Sequence, residues 1–155
     1  MKILRTFLLA IGLAATAWAA DVTPESLVGQ PLPKLAGLNF LGNRVDLEGK
    51  PAIVEFWATW CPPCRESIPH LNEVYKKYGA KGLQIVGITD EPAQTIRNFM
   101  KKTPIDYPVA TARPRLIESF GVSGIPHAFL VDKEGKIVWQ GHPMELTDSE
   151  IEKVL

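Results

Sequence analysis

The chain has 155 residues, enough for one domain with a proper core, and the composition of an ordinary soluble globular protein. Its 17 basic and 17 acidic side chains cancel, which excludes recognition of nucleic acid or a charged membrane surface by bulk electrostatics. Any partner has to be recognised by shape and local chemistry.

Taken in chain order, MKILRTFLLAIGLAATAWAA comes first. It carries Lys2 and Arg5, an apolar stretch from Phe7, and the small residues Ala17 and Ala19 at alternate positions. That layout predicts a secretory signal (1–19) cleaved after Ala19, followed by one domain (20–155), exported to a periplasm. The apolar part is shorter than the roughly 20 residues a membrane span needs, so an uncleaved anchor is the lesser alternative. Thr23, Pro24 and Gly29 then suggest a short helical turn. Apolar runs flanking Gly42-Asn43 in LNFLGNRVDL suggest a β-hairpin.

Ala52 to Trp57, AIVEFW, is short, apolar and rich in strand formers, and reads as a central strand covered on both faces. Its one charged residue is Glu55. From Cys64 the period changes: Ile68, Leu71, Val74 or Tyr75, and Tyr78 form a helical stripe, and Pro69 inside that helix is expected to kink it. Leu83 to Ile88 is a second buried strand. Asp90 is placed to cap a helix starting near Pro92, with Ile96, Phe99 and Met100 inward. An extended piece around Tyr107 to Ala110 follows, then a helix from Pro114 to Phe120. His127 to Gln140 reads as two strands joined at Asp132 to Gly135. Thr147 and Glu150 form a capping box for a last helix. Alternating strands and helices predict a mixed sheet between helix layers. The only cysteines, Cys61 and Cys64, then fall at the carboxyl end of a central strand, where such sheets build their sites.

A bridge between Cys61 and Cys64 would close a tiny loop and constrain the unfolded chain little, so the pair is placed for reactivity rather than as a staple. A cysteine at a helix N-terminus has its thiolate stabilised by free backbone N–H groups, which lowers its pKa from about 8.5 into the range of about 3.5–7.5. Cys61 is the exposed thiol in this reading and Cys64 the more buried one. Pro62 and Pro63 make the turn rigid and offer the sulfur no N–H. Cys-x-x-Cys is also half of a zinc site, but only His70, His127 and His142 remain as further soft ligands and none repeats the spacing.

FWATWCPPC, Pro69 and the later GVSGIPHAFLVDKEGKI together resemble the thioredoxin superfamily, and with the N-terminal hairpin, the signal and the extra segment Glu91 to Pro114 its exported TlpA/ResA branch. The resemblance implies a three-layer α/β/α sandwich with a central mixed sheet and an N-terminal β-hairpin extension. It implies that Cys61 is the attacking nucleophile, Cys64 the resolving thiol, and 61–64 the redox disulfide. Pro126 matches the proline preceded by a cis bond, which lets the Ile125 backbone pair with an extended substrate. Glu55 matches a buried carboxylate that exchanges the Cys64 proton, since burial without a partner disfavours its charge. Trp60 and His127 flank the substrate groove, His127 standing where thioredoxins often have Thr.

The implied function is reduction of disulfides in exported proteins, apocytochrome c among the clients of this branch, with a membrane thiol-electron donor restoring the enzyme. Neither cofactor nor metal is expected, and the chain is expected to be a monomer. Rival readings are a disulfide-forming oxidase, a copper-binding chaperone, a redox-inert binding module, and a thiol peroxidase. The last would need Thr three residues before the nucleophile, where this chain has Ala58.

Overall fold

A computed structural model describes residues 26–155. The predicted signal, and the start of the predicted turn at Thr23, lie outside the described residues. What is described of that turn closes with the Gln30 N–H donating to the Leu27 carbonyl, with Gly29 at φ +91°.

Six strands form one sheet in the order β1-β4-β3-β2-β5-β6. They are β1 (Asn39–Phe40), β2 (Ala52–Phe56), β3 (Gln84–Thr89), β4 (Val109–Thr111), β5 (His127–Val131) and β6 (Ile137–Gly141). β2, β3 and β4 run parallel, while β1, β5 and β6 pair antiparallel with their neighbours. Among the described residues four α-helices accompany them: α1 (Pro62–Tyr78), α2 (Ala93–Met100), α3 (Pro114–Glu118) and α4 (Asp148–Glu152).

Every residue of β2 is buried, so the strand sits in the middle of the molecule with a core on each face. Ile53 and Trp57 point to one side, against Ile68 and Leu71 of α1, Ile96 of α2 and Ile151 of α4. Val54 and Phe56 point to the other, against Phe120, Phe129 and the partly buried Leu116 and Ile117 of α3. Strand alternation therefore puts Glu55 on the α1 side, between Ile53 and Trp57. The last helix starts as expected, on a capping box in which Thr147 and Glu150 satisfy each other's backbone N–H groups.

Two expectations are corrected. The hairpin about Gly42-Asn43 does not form: β1 pairs instead with β4, Asn39 opposite Thr111 and Phe40 opposite Ala110. The edge of β4 offers β1 a backbone ladder, while the partly buried Val45 and Leu47 pack against the α3-side core instead of pairing. Asp90 does not cap α2. The cap position is Pro92, without a side-chain bond.

Gly87 of β3 lies opposite Glu55, and a Cβ there would come within 3.0 Å of the Trp57 indole nitrogen and 3.1 Å of a Tyr107 ring carbon. Both rings are 2% exposed and have little room to move. Gly87→Ala is expected to cost about 1–3 kcal/mol, as overpacking does. Urea denaturation measures it, and a variant as stable as the parent would mean that the rings can shift after all.

Candidate functional site

β2 ends at Phe56, and a short loop carries the chain into α1. Cys61 is the helix N-cap, with extended backbone at φ −91° and ψ 108°. Its backbone N–H donates to the Ala58 carbonyl, closing the loop into a turn. Pro62 and Pro63 take the first two helical positions, where a missing N–H costs nothing. The first N–H the helix has to offer is therefore that of Cys64, and it donates to Cys61 Sγ at 3.2 Å. That N–H, with the positive end of the helix dipole behind it, is placed to stabilise negative charge on the Cys61 sulfur.

The two cysteines are disulfide-bonded, with their Cα atoms 5.3 Å apart. Cys64 is fully buried and Cys61 retains 3% exposure, so the expectation of an exposed Cys61 is corrected. Its sulfur is enclosed by the helix turn and by the Ile125 carbonyl oxygen at 3.6 Å. Across from it the Ile125-Pro126 peptide bond is cis. What does stand out in solvent is Trp60, 70% exposed immediately before the pair. Partly buried His127 begins β5 opposite Phe56, and its ring lies tilted at 59° against Phe129, with ring centroids 4.8 Å apart. Burial holds its imidazole below the ordinary histidine range, so the ring is neutral at neutral pH.

Thr59 is fixed from a distance. The Glu91 carboxylate, beyond the end of β3, accepts both the Thr59 backbone N–H at 2.6 Å and the Thr59 hydroxyl at 2.7 Å. This clamp holds the loop between β2 and Cys61, and so the platform from which Trp60 projects. Nothing local in the sequence couples two residues 32 positions apart.

Beneath the disulfide, Glu55 has no exposed surface. The Tyr107 hydroxyl donates to its Oε2 at 3.1 Å, and Ser67 Oγ lies 3.2 Å from Oε1. Ser67 Oγ also reaches the Cys64 carbonyl at 2.8 Å, so polar contacts run from Glu55 to the cysteine turn. Burial pushes the Glu55 pKa up to about 8, with the Tyr107 and Ser67 hydrogen bonds working in the opposite direction. At neutral pH the carboxyl holds a proton that it can give up and recover near physiological pH, the property a proton exchanger needs.

The site thus brings together Glu55, Cys61, Cys64 and Ile125-Pro126; Trp60 and His127 adjoin these residues in the chain, Trp60 in solvent and the His127 ring against Phe129. Ser67 and Tyr107 were not anticipated. Ser67 carried a usable signal, because it is a polar residue on the inward stripe of α1 beside Ile68.

An open mixed sheet whose central strand runs into a helix capped by a Cys-Pro-Pro-Cys disulfide, facing a cis-proline loop, defines a thioredoxin-fold redox protein. Residues 28–140 match the AhpC/TSA family, and the chain belongs to that family, among its ResA-type thiol-disulfide oxidoreductases. The thiol-disulfide oxidoreductase ResA of Bacillus thuringiensis (strain Al Hakam) is 36% identical over 118 residues, covering 73% of this chain and 68% of the relative. The ResA of Bacillus thuringiensis subsp. konkukian (strain 97-27) is 34% identical over 133 residues, 83% of this chain and 76% of the relative. Among solved structures, a thioredoxin-family thiol:disulfide interchange protein from Chlorobium tepidum TLS is 36% identical with a TM-score of 0.61, covering 70% of this chain and 81% of that one.

Proposed function

We propose that this chain is an exported thiol-disulfide oxidoreductase that works as a protein-disulfide reductase. The observation that carries the reading is the Cys61–Cys64 disulfide at the N-terminus of α1, with the Cys64 N–H aimed at Cys61 Sγ. In the reduced enzyme the Cys61 thiolate attacks a substrate disulfide. One substrate sulfur leaves with the electron pair of the broken bond, and the other becomes joined to Cys61. Glu55, in its ionised form, takes the proton of Cys64, and the Cys64 thiolate attacks Cys61 Sγ. The second substrate sulfur leaves and is protonated, and the enzyme is left as the 61–64 disulfide. The substrate gains two electrons, and a dithiol donor must return two to the enzyme.

Ile125 and Pro126 present the backbone edge against which an extended substrate segment lies, and Trp60 and His127 contact its flanks. Residues 1–19 act as a cleaved export signal, and 20–155 as the periplasmic domain. Clients are disulfide-bearing exported proteins, with apocytochrome c the client class the branch suggests, and the donor is a membrane dithiol carrier. Against a peroxidase reading stands Thr59, the threonine nearest the required position, whose hydroxyl is committed to Glu91 instead of the sulfur.

The reduction potential tests the direction. Equilibrated in dithiothreitol or glutathione buffers, trapped and read by mass, the 61–64 pair is expected at or below about −250 mV, close to thioredoxin at about −270 mV. A value near about −120 mV would make the protein a disulfide-forming oxidant and reverse the scheme.

A further inference from the structure

The buried polar group under the disulfide contains fewer protons than oxygen atoms to receive them, and counting them limits where the Glu55 proton can sit. Ser67 has one hydroxyl proton and two oxygens in reach, the Cys64 carbonyl at 2.8 Å and Glu55 Oε1 at 3.2 Å. Tyr107 also has one, and its hydroxyl faces Glu55 Oε2 at 3.1 Å. With Glu55 neutral, one arrangement satisfies every group. Tyr107 donates to Oε2, the acid proton sits on Oε1 and is donated to Ser67 Oγ, and Ser67 donates to the Cys64 carbonyl. A proton on Oε2 would instead be donated to the Tyr107 oxygen and leave the buried Tyr107 proton without its acceptor.

We propose that Tyr107 is a positioning residue for the thiol–disulfide reaction: by donating to Oε2 it confines the exchangeable Glu55 proton to Oε1, the oxygen that faces Ser67 and the Cys64 turn. This rests on the reading of Glu55 as acceptor of the Cys64 proton. The resolving step starts from ionised Glu55, with Tyr107 donating to Oε2 and Ser67 to Oε1; Oε1 then takes the Cys64 proton, the Ser67 hydroxyl turns to the Cys64 carbonyl, and Tyr107 stays on Oε2 throughout.

Tyr107 is delivered to this place by several contacts. It lies in the segment between α2 and β4, and Asn72 of α1 brackets that segment, donating to the Pro104 carbonyl at 3.1 Å and accepting the Asp106 N–H at 2.8 Å. Ile105 between them is buried. Gly87 leaves the space that the Tyr107 ring fills. Facing Glu55 are Ser67 from α1, which also reaches the Cys64 carbonyl, and Tyr107 from the crossover, while its sheet neighbours Gly87 and Ala128 bring no titratable group. Burial, Tyr107 and Ser67 are what shift Glu55, and no charged side chain is among the causes.

Tyr107→Phe keeps the ring and the packing and removes only the hydroxyl. The Glu55 carboxyl, followed by carbon-13 NMR in the oxidised protein, is expected to titrate about one pH unit higher in the variant, because a donor to the charged form is gone. The pH profile of mixed-disulfide resolution should move up with it, while attack of Cys61 on a small disulfide in a Cys64→Ser background stays unchanged. Glu55→Gln, run alongside, is expected to remove that step of the profile. If Glu55→Gln flattens the profile but Tyr107→Phe titrates at the parent midpoint, or is slower at every pH with an unmoved midpoint, Tyr107 is merely structural and the inference falls alone. If Glu55→Gln leaves the profile intact, the Glu55 reading fails and takes the Tyr107 role with it.

Discussion

Cys64→Ser is expected to turn the enzyme into a trap. Cys61 still attacks a substrate disulfide, because its sulfur, the helix N-terminus and the Cys64 backbone N–H are all kept. The mixed disulfide then has no internal thiol to resolve it, and release waits for an external one. An internal thiol held one helical turn away acts at an effective concentration far above the millimolar thiol that replaces it, so turnover should drop by at least about a thousandfold. A species of enzyme plus half-substrate should accumulate, visible by mass and absent when Cys61 is also replaced. Turnover near the parent rate would mean that Cys64 is not the resolving thiol and that the two-step scheme is wrong.

Glu55→Gln is expected to slow the enzyme and stabilise it at the same time, the second effect depending on pH. The folded carboxyl titrates near 8 against an ordinary value of 4.5, so its folded pKa is raised. Below the unfolded value both states are neutral and its contribution to stability is fully present. As pH rises from about 4.5 to 8 the unfolded chain releases a proton that the folded chain keeps, and stability falls until the folded group also ionises. The total is on the order of 5 kcal/mol. Glutamine keeps the geometry of the neutral acid, its carbonyl accepting from Tyr107 and its amide donating to Ser67, and it has no charge to bury. Urea denaturation of the oxidised proteins should give the variant a flatter stability curve between pH 5 and 9 and the larger stability at pH 9. Parallel curves would remove Glu55 as a buried acid. Loss of the proton exchanger should slow resolution by about a hundredfold or more near neutral pH. One residue would then carry opposite effects on stability and on turnover, which explains why a carboxyl stands in an otherwise apolar central strand.

The parts of this protein that local chain chemistry decides were legible in the residues alone. The turn Cys61-Pro62-Pro63-Cys64 needs only the φ restriction of proline and the free N–H groups of a helix start. The covered strand, the stripe of α1 and the Thr147–Glu150 capping box each follow from neighbours within a few positions. Glu55 was conspicuous for the same reason, since a charge inside an apolar run contradicts its surroundings.

What needed the folded chain was every choice among partners of similar local merit. The apolar residues around Gly42-Asn43 suit a hairpin, but the edge of β4 and the α3-side core gave strand pairing and burial to different parts of the segment. The helix start marks Cys61 as accessible, yet the Ile125 carbonyl closes over it from 64 positions away. Tyr107 reads only as a strand-forming aromatic until the Asn72 bracket and the gap at Gly87 bring its hydroxyl to Glu55, 52 positions away. A hydrogen bond inside a core is decided by which groups the packing leaves without water. That depends on the whole arrangement of layers, and no window of the sequence contains it.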